Sequence, residues 1–331
     1  LKCRFQHEHD GKSLSGPSEG RRGEMLSLIL LQQIALLFII IFLGWAIVKA
    51  GILKSEDSKT LSMVLLYIIT PCVILNAFQI ERTVDTVRMM ELSLLSAVIL
   101  SVLSIVLGGL LAKPFRLDIV ETASVMYPNC TNMVIPLVIG AFGEDWVIYV
   151  TCYSMVQTIL VWTHARILIS GKRKISLRDL VCNVNILAIM LGLFLFVFQL
   201  RLPGVIQSAF SMAGDTIGPV AMLIIGMLMA GIDMQRLRSY RQIWKPVLLR
   251  LIVLPVILVC VAKYSGLAAL APHGETLIII SLLSAVAPSA SIVTQFSQMF
   301  GRDALYASLI NTVTMLLCII TMPLMITLFQ M

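Results

Sequence analysis

From residue 26 onward the chain alternates long apolar runs with short polar breaks. The runs fall at 26–48, 60–80, 90–112, 119–142, 146–169, 179–200, 205–232, 246–270, 276–299 and 303–329. A helix needs roughly 20 apolar residues to cross the hydrocarbon of a bilayer, and every run reaches that length. The pattern therefore predicts ten membrane-spanning helices and leaves no room for a separate soluble domain. The firmest separations are the charged run 54–59, between the first two spans, and Gly171-Lys172-Arg173-Lys174, between the fifth and sixth.

The two halves resemble each other. Leu43-Gly44 and Thr70-Pro71 have counterparts 148 residues later in Leu191-Gly192 and Gly218-Pro219. Further along, Lys113 pairs with Lys263, Glu121-Thr122 with Glu275-Thr276, and Gly143-Glu144-Asp145 with Gly301-Arg302-Asp303, in order and with slowly growing offset. Five spans per half is an odd number, so the second half must be inverted in the membrane relative to the first. Inverted repeats are characteristic of secondary transporters, whose sites lie near mid-membrane at the repeat interface. The expected division is a first repeat at 25–170, a basic loop at 171–178 and a second repeat at 179–331.

Composition agrees with this class: 58% of residues are hydrophobic and 13% are charged, against about 25% charged in soluble domains. The net charge of +7 does not point to nucleic acid, because Lys and Arg cluster in the short loops. Alternate loops carry sixteen of them on one side and four on the other, which predicts that the richer side is cytoplasmic and both termini are outside. Six of the seven cysteines lie in apolar runs, so neither a disulfide framework nor a metal cluster is expected. The polar stretch 1–24 has no apolar core and reads as a disordered tail or a mis-called start, with Met25 the expected first residue.

The fourth and ninth spans carry helix breakers at mid-depth. Around the middle of the fourth lie Pro128, Asn129, Thr131, Asn132 and Pro136, and around the middle of the ninth lie Pro288, Ser289, Ser291, Thr294 and Gln295. A break in hydrocarbon strands main-chain N–H and C=O groups at several kcal/mol each unless protein or a watery cavity satisfies them. If each second half-helix begins after its break with an Asn or Ser cap and proline in its first turn, two positive helix ends face the midplane and favour an anion. The competing reading is a pair of proline kinks relieved by neighbouring helices.

Tyr153, Gln157 and Asn311 are further cavity candidates, because the fifth and tenth spans directly follow the broken ones. Asp215, four residues before Pro219, is the acid nearest mid-span; it is read either as a proton or sodium coupling group or as a headgroup residue. Glu121 and Glu275 are expected at span ends reaching interfacial water, and His164, Arg166, Arg250 and Lys263 are expected to snorkel.

These residues carry a family resemblance. Thr70-Pro71, Asn129 seven residues before Pro136, Pro219, Ala287-Pro288, Asn311-Thr312 and Thr321-Met322-Pro323 are similar to the auxin efflux carrier family, which includes bacterial malate and malonate permeases and plant PIN-type auxin carriers. The resemblance covers 25–331. It departs at Val134, where members often carry Gly, and at Asn183-Val184, where many have Asn-Pro. It implies an all-α integral membrane fold of ten helices in two inverted five-helix repeats, with helices four and nine crossing where they unwind. It also implies an organic anion substrate, a carboxylate such as malate, and a multi-pass protein of the bacterial cytoplasmic membrane.

The leading expectation is alternating-access transport of a small carboxylate, with Asn129, Asn132, Pro136, Pro288, Ser289 and Ser291 framing the site. No cofactor is expected; proton or sodium coupling, and assembly as a homodimer, stay open. The alternative within transport is a sodium-coupled carrier similar to bile-acid symporters, with Gln295 and Asp215 as ion ligands. An enzyme acting within the membrane is not expected, since none of the ten apolar runs carries an HExxH, GxSxG or GxGD motif. A non-transporting sensor or channel is the remaining alternative.

Overall fold

The computed structural model describes residues 36, 38–171, 183–231 and 240–330, apart from the side chains of Asn132, Arg241 and Ile319. The expectations for the tail at 1–24, for most of the basic loop at 171–178 and for the beginnings of the first and sixth spans lie outside the described residues.

Among the described residues the chain is helical, and each of the ten apolar runs carries helix. In chain order these are α1 (Phe38–Lys49), α2 (Ser55–Ala77), α3 (Val84–Phe115), α4 (Ile119–Met126), α5 (Cys130–Phe142), α6 (Glu144–Ser170), α7 (Val184–Val197), α8 (Gly204–Ala230), α9 (Trp244–Tyr264), α10 (Gly274–Val286), α11 (Ser291–Met299) and α12 (Ala304–Gln330). Five of them, α2, α3, α6, α8 and α9, are long and apolar enough to cross a membrane unbroken, and α12 joins them if its bend is counted within one span. The fourth run is divided into α4 and α5 and the ninth into α10 and α11.

Local chemistry sets the ends. The charged run 54–59 does not separate α1 from α2 as a loop, because Lys54 N–H donates to the Asp57 carboxylate (2.8 Å) and starts α2 as a 3₁₀ turn. Helix α3 begins six residues before the predicted run, where the Thr83 hydroxyl accepts from Thr86 N–H (3.0 Å). A π turn stands just before Pro71 in α2 (Leu65–Ile69) and another just before Pro255 in α9 (Leu249–Val253). A proline takes no part in the α ladder as a donor, and widening the preceding turn accommodates that loss.

The helices pack as two groups: α7 and α8 each against α2, and α3, α6, α9 and α12 around the broken spans α4/α5 and α10/α11. Helix α1 joins the first group through glycine. A Cβ on Gly226 of α8 would fall 2.0 Å from Ile41 O and 2.9 Å from Gly44 Cα, so the two backbones touch. The residues 148 away, Phe78 and Gly192, also meet: a Cβ on Gly192 of α7 would fall 2.3 Å from the Phe78 ring. The same contact thus recurs with the halves exchanged.

Candidate functional site

Proline dictates where the two broken spans stop. The residue before a proline is driven out of the helical region, and Tyr127 (φ −107°, ψ 118°) and Ala287 (φ −54°, ψ 157°) are both extended. The released segments pair with each other. Asn129 N–H donates to Pro288 O (2.8 Å) and Ala290 N–H donates to Tyr127 O (2.9 Å), forming an antiparallel bridge between Pro128 and Ser289. Each break thereby satisfies one donor and one acceptor of the other, which answers much of the cost of unwinding inside an apolar layer.

The ends of the four half-helices are treated differently. The carbonyl ends of α4 and α10 are closed by Arg250, which is 0% exposed and lies in the π turn of α9. Its guanidinium donates to Val125 O (3.0 Å), Ala285 O (2.7 Å) and Ala287 O (2.6 Å from Nη2, 3.0 Å from Nε). At the N-termini of α5 and α11 the N-cap residues themselves, Asn129 and Ala290, make no side-chain cap bond. The expected Asn or Ser capping is therefore corrected: the Asn129 amide nitrogen is buried with no hydrogen-bond partner, and so is the Ser289 hydroxyl. The expected proline in the first turn is corrected too, because Pro128 and Pro288 precede the second half-helices.

Neighbouring helices hold the crossing. Ser289 N–H donates to the Thr314 hydroxyl of α12 (3.1 Å). With its amide turned to match donors to acceptors, Asn311 accepts from Ser291 N–H (3.3 Å) and donates to Ser289 O (3.2 Å). On the other side the Thr131 hydroxyl meets Ser154 of α6 (2.7 Å). Thr131 and Ser154 line a recess of about 20 Å³ with Thr70, Thr151, Thr158 and Asn185. That volume admits about one water, so the helices are closed around the recess, which lies where the two packing groups meet.

The structure thus brings together Asn129, Thr131, Pro288, Ser289, Ser291 and Asn311. Asn132 lies in the first turn of α5, and its side chain is outside the described residues. Tyr153 and Gln157 are buried in α6, with the Tyr153 hydroxyl and the Gln157 amide nitrogen lacking partners. Pro136 does not break the helix: α5 runs through it, and it packs toward Gly218 of α8, where an added Cβ would lie 3.2 Å from it. Asp215, at the kink of α8, and Gln295, on α11, are both exposed.

Three residues read as peripheral are not. Arg250 does not snorkel but sits at the crossing. Glu121 does not reach water: it is 2% exposed, closes a capping box with Asp118 (2.7 and 2.9 Å) and accepts from the Tyr306 hydroxyl (2.5 Å). His164 meets the hydroxyl of Tyr127, one of the crossing residues, through Nδ1 at 2.6 Å. A sequence reader could have found one missed feature, since Thr151, Ser154 and Thr158 are spaced as one helical face. Among the described residues no group of His, Cys, Asp and Glu is arranged to hold a metal.

No curated protein matches the chain. The sequence model of a family described as membrane transport protein matches it in two consecutive stretches, 29–176 and 172–326, which together span nearly all of it. With its apolar helices and paired breaks, the chain belongs to this membrane transport protein family, that of the auxin efflux carriers.

Proposed function

We propose that the protein is a secondary transporter that moves a small organic anion, a malate-like carboxylate, across the bacterial cytoplasmic membrane by alternating access, with both termini outside. The anion binds beside the crossing of α4/α5 with α10/α11. The observation that carries this reading is the asymmetry of the helix ends. Arg250 neutralises the two carbonyl ends, while the N-termini of α5 and α11 meet no charged group: Asn129 makes no cap bond at α5, and α11 receives only the neutral Asn311 amide at Ser291 N–H, so each end keeps about half a positive charge. The buried Asn129 amide nitrogen and Ser289 hydroxyl, both without partners, supply donors suited to a carboxylate.

Alternating access is supported by the contact that recurs with the halves exchanged, Gly44 with Gly226 and Gly192 with Phe78, as a pair of inverted repeats at 25–170 and 179–331 would produce. The polar recess at the junction of the two packing groups is where relative movement would open a path.

The test is uptake of labelled malate and malonate into proteoliposomes carrying the full chain. Saturable uptake is expected, with KM raised about 10- to 100-fold in Asn129→Ala, the loss of one hydrogen bond to a charged group. Folded protein that takes up no carboxylate under any imposed gradient refutes the reading.

A further inference from the structure

The carbonyl ends of α4 and α10 converge at one point, and both carry the negative pole of a helix. In carriers built on discontinuous helices, such ends and unwound carbonyls are where a coupling cation is held. Here the place is taken by a side chain. Arg250 is fully buried, and all four of its hydrogen bonds go to main-chain carbonyls of the two broken spans, Val125 on one and Ala285 and Ala287 on the other. A buried charge is costly unless it is compensated, and these converging carbonyls are its compensation.

The choice of side chain and its placement agree. A guanidinium is a planar fork that can reach two helices at once, whereas an ammonium offers three donors from one atom. The π turn Leu249–Val253, set just before Pro255, carries Arg250 at the crossing of the broken spans.

We propose that Arg250 is a built-in counter-cation: it fills the carbonyl cradle in which a coupling sodium would otherwise sit, so the crossing binds no sodium. The inference rests on the crossing being the transport site. Arg250 is a positioning residue, fixing the geometry of both breaks through their carbonyls, and its charge lies on the same crossing as the N-termini of α5 and α11.

The test is the thermal stability of the purified full chain in lipid nanodiscs, in sodium, potassium or N-methylglucamine chloride at equal ionic strength. The wild type is expected to melt at the same temperature in all three. Arg250→Ser is expected to melt roughly 5–10 °C lower and to recover part of that loss on adding sodium or millimolar guanidinium, whereas Arg250→Lys stays indifferent to the cation. Stabilisation of the wild type by sodium overturns the proposal, and so does an Arg250→Ser chain that melts with the wild type or is recovered by neither ion. If Arg250→Ser does not fold, the sodium titrations of wild type and Arg250→Lys decide: indifference in both supports the proposal, and stabilisation of either overturns it. The readout needs no transported substrate, so failure of carboxylate uptake and failure of this inference are separate results.

Discussion

The bridge between the two breaks can be attacked at one atom. Ala290 has φ −71°, within the range proline requires, and Ser289 before it is already extended in the bridge. Ala290→Pro therefore needs no change of backbone angle, and it replaces the N–H that donates to Tyr127 O at 2.9 Å. The proline Cδ stands about 1.5 Å from the nitrogen, in the direction the hydrogen had, leaving about 1.4 Å to an oxygen that tolerates carbon no closer than about 3.3 Å. The segments must part by nearly 2 Å. That also breaks the companion bond from Asn129 N–H to Pro288 O, now 2.8 Å. Two carbonyls, Tyr127 O and Pro288 O, and the Asn129 N–H are left unsatisfied at about 1–3 kcal/mol each, a loss of roughly 3–9 kcal/mol and a fall in melting temperature of at least about 10 °C.

Ala290→Gly is the control, since it keeps the N–H and costs about 0.5–1 kcal/mol in backbone freedom. The assay is thermal unfolding of both variants in detergent or nanodiscs, followed by malate uptake. A proline variant that melts within about 2 °C of the glycine variant and transports equally well would refute the argument that this bridge holds the crossing together.

Three other outcomes follow from the packing. Gly226→Ala should lower stability by about 3 kcal/mol or more, because its Cβ would meet main-chain atoms of α1 at 2.0 Å. Gly192→Ala should cost less, since it meets the Phe78 ring, which can turn; equal melting temperatures for the two would contradict this. Tyr306→Phe removes the hydroxyl that donates to buried Glu121 and should cost about 1.5–3 kcal/mol, seen as an earlier thermal transition with helix content unchanged. Asn311→Leu takes away the amide that meets Ser289 O and Ser291 N–H; its malate uptake should fall at least tenfold, whereas uptake at the wild-type rate would place Asn311 outside the working crossing.

The sequence alone determined what depends on a residue and its near neighbours along the chain. Ten apolar runs predict helices because only hydrogen-bonded main chain survives in hydrocarbon, and all ten carry helix. Pro128 and Pro288 mark the breaks because proline acts on its own turn. The likeness of the two halves was legible as similar residues 148 apart, Gly44 and Gly192 among them, without any indication of what those glycines touch. Tertiary structure decided everything that depends on which helix stands alongside. Arg250, Glu121 and His164 look like interfacial residues when depth is judged along their own spans. Arg250 and Glu121 are buried, and His164 half-buried, because carbonyls of α4 and α10, the hydroxyl of Tyr306 and the hydroxyl of Tyr127 approach them from other helices. Pro136 shows the converse, a helix breaker by type that α5 carries intact while packing toward Gly218. A side chain's chemistry is local, but the partner that makes its burial tolerable is supplied by a distant part of the chain. That is why the breaks could be read in advance, and the cation between them could not.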